Sequence, residues 1–321
     1  MQFDRVDLGR TAKELGFVRD TFEKVCRLTD VLEFMGADEL LSESLALKGG
    51  TAINLTIFNM PRLSVDIDLD YSGEISRDDM LQDRKVITAR ISKYMSANGY
   101  ILSPKSKNYH ALDSFVYEYV NSGGSKDNLK IEINYMLRCH VLPVVRRKVE
   151  LPWNNKELNV LSVAPLEIFA SKTVALLNRT APRDLYDIHN MVKQSLFDEE
   201  EQIMLRKCTV YYSAVGSEMP PEGFDLSNIS KVSAQKIKTD LKPVLRTGER
   251  FELDVVQKEV SDYLSIILIP TDDEIRFWDD FRKGYYRPEL VFGQTGQCAN
   301  IKQHPMALWK CQKNAVSNQD R

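Results

Sequence analysis

The chain has 321 residues, 43% hydrophobic and 28% charged, enough for a sizeable core spread over two or three subdomains. No apolar run reaches the roughly 18 residues of a membrane-spanning helix. With 43 basic against 46 acidic residues the formal charge is −3, so net attraction does not draw the molecule to nucleic acid, and any such binding needs a local basic patch.

The N-terminus is too polar for a signal peptide, which sets a cytoplasmic expectation. Cys26, Cys139, Cys208, Cys298 and Cys311 are scattered without a C-x-x-C pair, and the four histidines lack metal-ligand spacing. Free thiols in a reducing compartment fit this pattern better than a disulfide framework or a zinc site.

From Thr11 to Phe34, apolar residues recur every three or four positions (Leu15, Val18, Phe22, Val25, Leu28, Leu32), predicting one amphipathic helix laid on a sheet. A short helix is expected over Asp38 to Leu45. Lys48-Gly49-Gly50-Thr51 then precedes the apolar run Ala52, Ile53, Leu55. It reads as a tight turn opening a short helix, with backbone N–H groups placed for an anion.

Ser64 to Asp70 alternates, with Val65, Ile67 and Leu69 on one strand face and Asp66, Asp68 and Asp70 on the other. Three like charges on one face are unfavourable unless a cation holds them. Hard divalent ions take carboxylate oxygens together with substrate phosphates, so two carboxylates about 7 Å apart along a strand suit a metal-assisted phosphate transfer. The plainer alternative is an ordinary turn followed by a solvated acidic face. Their closeness in sequence favours the chemical reading.

Ser76 begins a helix expected to end at Asn98-Gly99. Ser114 to Asn121 and Leu129 to Leu137 read as two strands joined by a Ser122 to Asn128 hairpin loop. Glu132, on the face opposite Ile131 and Ile133, is a candidate third carboxylate. Cys139 to Leu161 reads as strand and loop containing Arg146-Arg147-Lys148, a solvated edge or an RNA phosphate contact. Pro165 opens a helix to Arg179, and a further helix from Arg183 to about Gln194 carries Asp184 and Asp187 on one face. Lys172 with Asp187 reads, on the residues alone, as an interhelix salt bridge. The rest is expected to be mostly helical, with helices over 234–241, 251–268 and 272–283 and a Gly-, Gln- and Asn-rich tail after Phe292 whose last ten residues are loose.

The G-G-T turn, helix and h-D-h-D-h strand resemble the nucleotidyltransferase superfamily related to DNA polymerase β. More narrowly, KGGTAINL with RLSVDIDL resembles the AbiEii group of abortive-infection proteins, which includes the MenT toxins. The likeness extends from the N-terminal helix through RDLYD to Tyr286-Arg287-Pro288-Glu289-Leu290. Two features depart from it. The gap between Gly50 and Asp66 is longer than in the generic superfamily pattern, and the tail after Gly293 matches nothing.

This resemblance implies an α+β fold, a polymerase β-like mixed sheet flanked by helices with a mostly helical C-terminal half. The expected divisions are a nucleotidyltransferase domain over 1–160, a helical domain over 161–293 and a loose tail over 294–321. It further implies that Asp66 and Asp68 hold Mg²⁺ or Mn²⁺ on an NTP, and that Glu132 completes a second metal site or acts as base. Lys172 would neutralise phosphate charge, and Asp187 would orient it or help bind the nucleotide. Lys48, Gly49, Gly50, Thr51, Arg62, Ser64 and Asp184 would belong to the nucleotide site. The implied activity is that of a type IV toxin adding nucleotides to the 3′ acceptor end of tRNA, opposed by an AbiEi-type antitoxin. The alternatives are transfer to a small-molecule or protein hydroxyl, and a non-catalytic protein that binds GTP or a partner.

Overall fold

A computed structural model describes residues 4–73, 76–154, 156–294 and 296–319. It forms two compact units, one of Met1–Arg138, Val144–Val163 and Lys242–Glu249, the other of Cys139–Pro143, Ala164–Leu241 and Arg250–Arg321.

In the first unit, α1 (Arg5–Leu15) and α2 (Arg19–Ala37) replace the single helix expected over Thr11 to Phe34. Gly16 divides them. It adopts φ +79°, and the Phe17 N–H turns back to Ala12 O at 2.7 Å, a left-handed stop that glycine makes without steric cost. α2 buries Phe22, Val25, Leu28, Val31, Leu32 and Met35 against the sheet. Its buried Glu23 accepts hydrogen bonds from the backbone N–H and hydroxyl of Ser122, fixing the helix to the hairpin turn.

Asp38 caps α3 (Glu39–Ser44), which runs into β1 (Leu45–Lys48). α4 (Gly49–Ala52) continues as a π-helical turn, Ile53–Ile57, before β2 (Asp66–Tyr71). α5 (Arg77–Ala97) starts on a Ser76 cap. The strands that follow are β3 (Ile101–Leu102), β4 (Lys107–Asn108), β5 (Leu112–Val120), β6 (Lys126–Asn134), β7 (Val145–Lys148) and β8 (Asn159–Ser162).

The strands form one mixed sheet in the order β3-β5-β6-β2-β1-β8-β7, with β4 on β5. β2 lies between antiparallel β1 and parallel β6. Its alternation is the one the sequence pattern dictates, since Ile67 and Leu69 are buried while Asp66 and Asp68 stay partly exposed. β6 stops at Asn134 rather than Leu137, because the Asn134 side chain accepts the N–H groups of Met136 and Leu137 and bends the chain away. Residues 242–249 close this unit. Leu63 N–H donates to Val244 O, and the Arg246 guanidinium donates to Leu15 O and Met60 O.

The second unit is helical: α6 (Pro165–Asn178), α7 (Pro182–Lys193), α8 (Glu199–Gly216), α9 (Ser227–Ser230), α10 (Ala234–Lys236), α11 (Leu253–Ile267), α12 (Asp272–Arg282), α13 (Glu289–Phe292), α14 (Gly296–Ile301) and α15 (Pro305–Gln319). α8, which no sequence pattern places, is the central element. It buries Leu205, Cys208 and the unbroken run Val210 to Val215 and accepts the Trp278 indole N–H on Val210 O. Burial on so many sides erases the amphipathic period, and the remaining signal is the Asp198/Glu201 capping box at its start.

The tail expected to be loose is largely helical. Ile301, Ala307 and Cys311 are buried, and Asn314 donates to Phe281 O. Polar composition conceals a helix anchored by a few small apolar residues. Residues 320–321 and the Cys298 side chain lie outside the described residues, whose other four cysteines are free thiols. No described helix is long and apolar enough to cross a membrane.

Candidate active site

The site in the first unit is built where β1 turns into α4 beside β2. Gly49 has φ +67°, and a β-carbon there would fall 2.6 Å from Asp68 Oδ2. One on Gly50 would fall 2.9 Å from both Arg62 Nη2 and Ser64 Oγ. Position 49 therefore demands glycine, while a side chain at Gly50 would require the ends of the Arg62 and Ser64 side chains to move.

Thr51 and Arg62, implied to touch nucleotide, are 0% and 1% exposed. The Thr51 hydroxyl binds Asp66 O and lies 3.0 Å from Ser64 Oγ, and Arg62 donates to Leu63 O. Through these bonds both side chains hold to the segment 62–66 that leads into β2.

On β2 the carboxylates share a face with their ladder neighbours. Asp66 lies opposite Lys130 and Asp68 opposite Glu132 on β6, while Lys48 on β1 lies opposite Asp68. The Lys48 ammonium pairs with buried Asp70 at 2.5 Å, which settles the third aspartate of the strand by an ion pair. Glu132 is 3.0 Å from Lys130 Nζ. Burial pulls the Lys130 ammonium down, but Glu132, with Asp66 and Asp68 behind it, outweighs this and raises it above the ordinary lysine value. The donor set of Asp66 and Asp68 is all oxygen and partly exposed, which fits a hard cation that completes its shell with phosphate. Among the described residues, no group of three or more His, Cys, Asp or Glu is arranged to hold a metal ion by itself.

The second unit gathers Lys172, Asp184 and Asp187. Lys172 Nζ lies 2.7 Å from Asp184 and 3.1 Å from Asp187, both 1% exposed, and Arg179 reaches Asp184 at 2.9 Å. This is a buried cluster, so the reading of Lys172–Asp187 as a weak exposed salt bridge does not apply. Burial pushes the Asp184 carboxyl up. Lys172 and Arg179 outweigh it and hold the group below the usual carboxylate range. Sequence spacing does not pair Asp184 with Lys172; helix hairpins bring such residues together without any short motif.

The basic triplet lies on the edge strand β7 and is internally engaged. Arg146 pairs with Glu43, Arg147 donates to Thr56 O at 2.8 Å, and Lys148 stands 3.9 Å from Glu150.

A mixed sheet that sets a D-x-D strand against a double-glycine turn is the framework of a nucleotidyltransferase. The sequence model of the family described as nucleotidyl transferase AbiEii toxin, type IV TA system, matches residues 33–276, and the chain belongs to that family. It is a nucleotidyltransferase toxin of a type IV toxin–antitoxin system, which implies an NTP substrate, a divalent cation and an antitoxin partner.

Among solved structures, MenT4, the nucleotidyltransferase toxin Rv2826c from Mycobacterium tuberculosis H37Rv, is similar over 98% of each chain, with TM-score 0.63 and 16% identity. That likeness bears out the α+β fold. CdnC from E. coli MS115-1, solved with ATP, covers 91% of this chain and 99% of its own at 17% identity and TM-score 0.25. No curated protein matches the chain.

Proposed function

We propose that this toxin is a Mg²⁺-dependent enzyme, with Mn²⁺ able to substitute, that moves a nucleotide from an NTP to the 3′ acceptor end of tRNA and so blocks translation and growth in the cytoplasm. The observation that supports the catalytic part is the close approach of Gly49 to Asp68, where an added β-carbon would fall 2.6 Å from the carboxylate oxygen. In the transfer an acceptor hydroxyl attacks the α-phosphorus. The new O–P bond forms as the bond to pyrophosphate breaks, and the hydroxyl proton passes to solvent water. A bound divalent cation supplies charge for the phosphate oxygens.

Asp66 and Asp68 hold and aim that cation, and Lys48, Arg62, Thr51 and Ser64 keep strand and turn in place. For Lys172 we propose the part that the family resemblance implies, a point cation for phosphate aimed by Asp187 and Asp184. Catalysis of this kind is mostly positioning and electrostatic stabilisation. The antitoxin is proposed to be AbiEi-type.

A second reading, transfer to a small-molecule or protein hydroxyl, is favoured by the bond of Arg147 to Thr56 O and the pairing of Arg146 with Glu43, which draw on the best local candidate for an RNA grip. Incubating the protein with each labelled NTP, Mg²⁺ and total cellular RNA decides between them. Label at tRNA 3′ ends supports the first reading. Label elsewhere, with tRNA unlabelled, moves the acceptor to the second.

A further inference from the structure

We propose that Lys130 is a counter-cation built into the acidic face, which withholds Glu132 from metal coordination and restricts the site to a single divalent ion between Asp66 and Asp68. The proposal rests on the reading of Asp66 and Asp68 as the metal anchor.

The parallel β2–β6 ladder is in register at Asp66 with Lys130 and at Asp68 with Glu132, so these four side chains leave the sheet on the same face. Lys130 and Glu132 are two apart on β6, and their charged ends meet at 3.0 Å with the side chains 37% and 29% exposed. Such a pair is neither fully solvated nor fully buried. Across β2, Lys48 performs the same service for Asp70. The acidic face thus carries Asp66, Asp68, Asp70 and Glu132, flanked on both sides by a lysine.

A second ion, which in two-metal sites stands about 3.5–4 Å from the first, would need another carboxylate. Glu132 is the carboxylate directly across from Asp68, and taking it means breaking its ion pair and placing a dication beside an ammonium. A cation fixed by the chain therefore stands where a second metal would otherwise gather. The same ammonium offers a donor to phosphate oxygens without any change in metal count.

The test counts Mn²⁺ bound to the full chain by electron paramagnetic resonance, with no nucleotide present. Wild type, Lys130→Met, Lys130→Gln, Glu132→Gln, Lys130→Met with Glu132→Gln, and Asp68→Asn are compared, each checked by circular dichroism. Wild type is expected to bind one ion and Asp68→Asn none. Lys130→Met and Lys130→Gln should bind about tenfold more tightly, the effect of removing one charge some 6 Å from a dication in a solvent-like medium, and should admit a second ion. Adding Glu132→Gln to Lys130→Met should abolish both gains.

Two bound ions in wild type overturn the proposal without recourse to any variant. It is also overturned if Asp68→Asn loses the ion while both Lys130 variants bind as wild type does, an outcome that leaves the metal reading intact. Mn²⁺ binding unchanged in Asp68→Asn, or absent from every protein, removes the metal reading and the proposal together.

Discussion

Asp68 lies so close to Gly49 that a single added methyl group on the glycine would fall 2.6 Å from the carboxylate oxygen. The turn and the acidic strand consequently approach too closely for a side chain at Gly49 to fit without displacing Asp68. Gly49→Ala adds the strain of φ +67° to this collision. It is expected to destabilise the protein by about 1–3 kcal/mol and to weaken Mn²⁺ binding. A thermal melt and a Mn²⁺ titration check both effects, and an alanine variant with wild-type values for both would show that the turn yields.

Asp66→Ala and Asp68→Ala are expected to abolish nucleotide transfer and growth inhibition while leaving the fold intact. Removal relieves repulsion between the carboxylates but also loses their attraction to Lys130, so the melting temperature should change little. Circular dichroism and a growth assay suffice. A folded variant that still arrests growth at wild-type potency would take this strand out of catalysis.

Much of the acidic strand and its turn is legible in the amino-acid sequence. The period-2 pattern of β2 is readable because one face is apolar and the other acidic, and the glycine pair because few residues other than glycine open such a turn. α8 is not legible, since burial of Val210, Tyr211, Tyr212, Ala214 and Val215 in succession leaves no polar face to mark a helical period. Nor are the Lys130–Glu132 and Lys172–Asp184 pairs, for different reasons. The first depends on strand register, and the second on how two helices pack.

Lys172→Ala removes the ammonium that Asp184 and Asp187 share while Arg179 still reaches Asp184, so the expected cost lies below the about 3–5 kcal/mol of a fully uncompensated buried charge and comes in addition to a heavy loss of transfer activity. Lys172→Arg should restore part of each, because the guanidinium keeps the charge but aims it differently. Comparable activity in Lys172→Ala and wild type would confine Lys172 to a structural part.

The same cluster sets a pH dependence. The folded-state pKa of Asp184 is depressed, so its stabilisation is complete above the unfolded carboxylate value of about 3.9. That stabilisation is lost as pH falls through the lower folded value. Chemical denaturation followed between neutral and strongly acidic pH should show this loss, and Asp184→Asn should flatten it. An unchanged acid slope in Asp184→Asn would move the effect to other carboxylates.

For the RNA reading, Arg146→Ala with Lys148→Ala is the informative variant, since it spares the Arg147 bond to Thr56 O. Loss of two phosphate contacts should lower the slope of log affinity against log salt by up to about 2, with NTP affinity unchanged. A slope equal to wild type places any RNA grip elsewhere.

Residues 242–249 belong to the first unit although most of the chain between them and β8 builds the second. Their backbone and side-chain bonds to Leu63, Leu15 and Met60 are available only once that segment has left the ribosome. The nascent toxin thus carries its acidic strand early but cannot finish the unit around it until translation has passed residue 249. A messenger cut or stalled before that point would yield a first unit without the bonds that residues 244 and 246 make to Leu63, Leu15 and Met60.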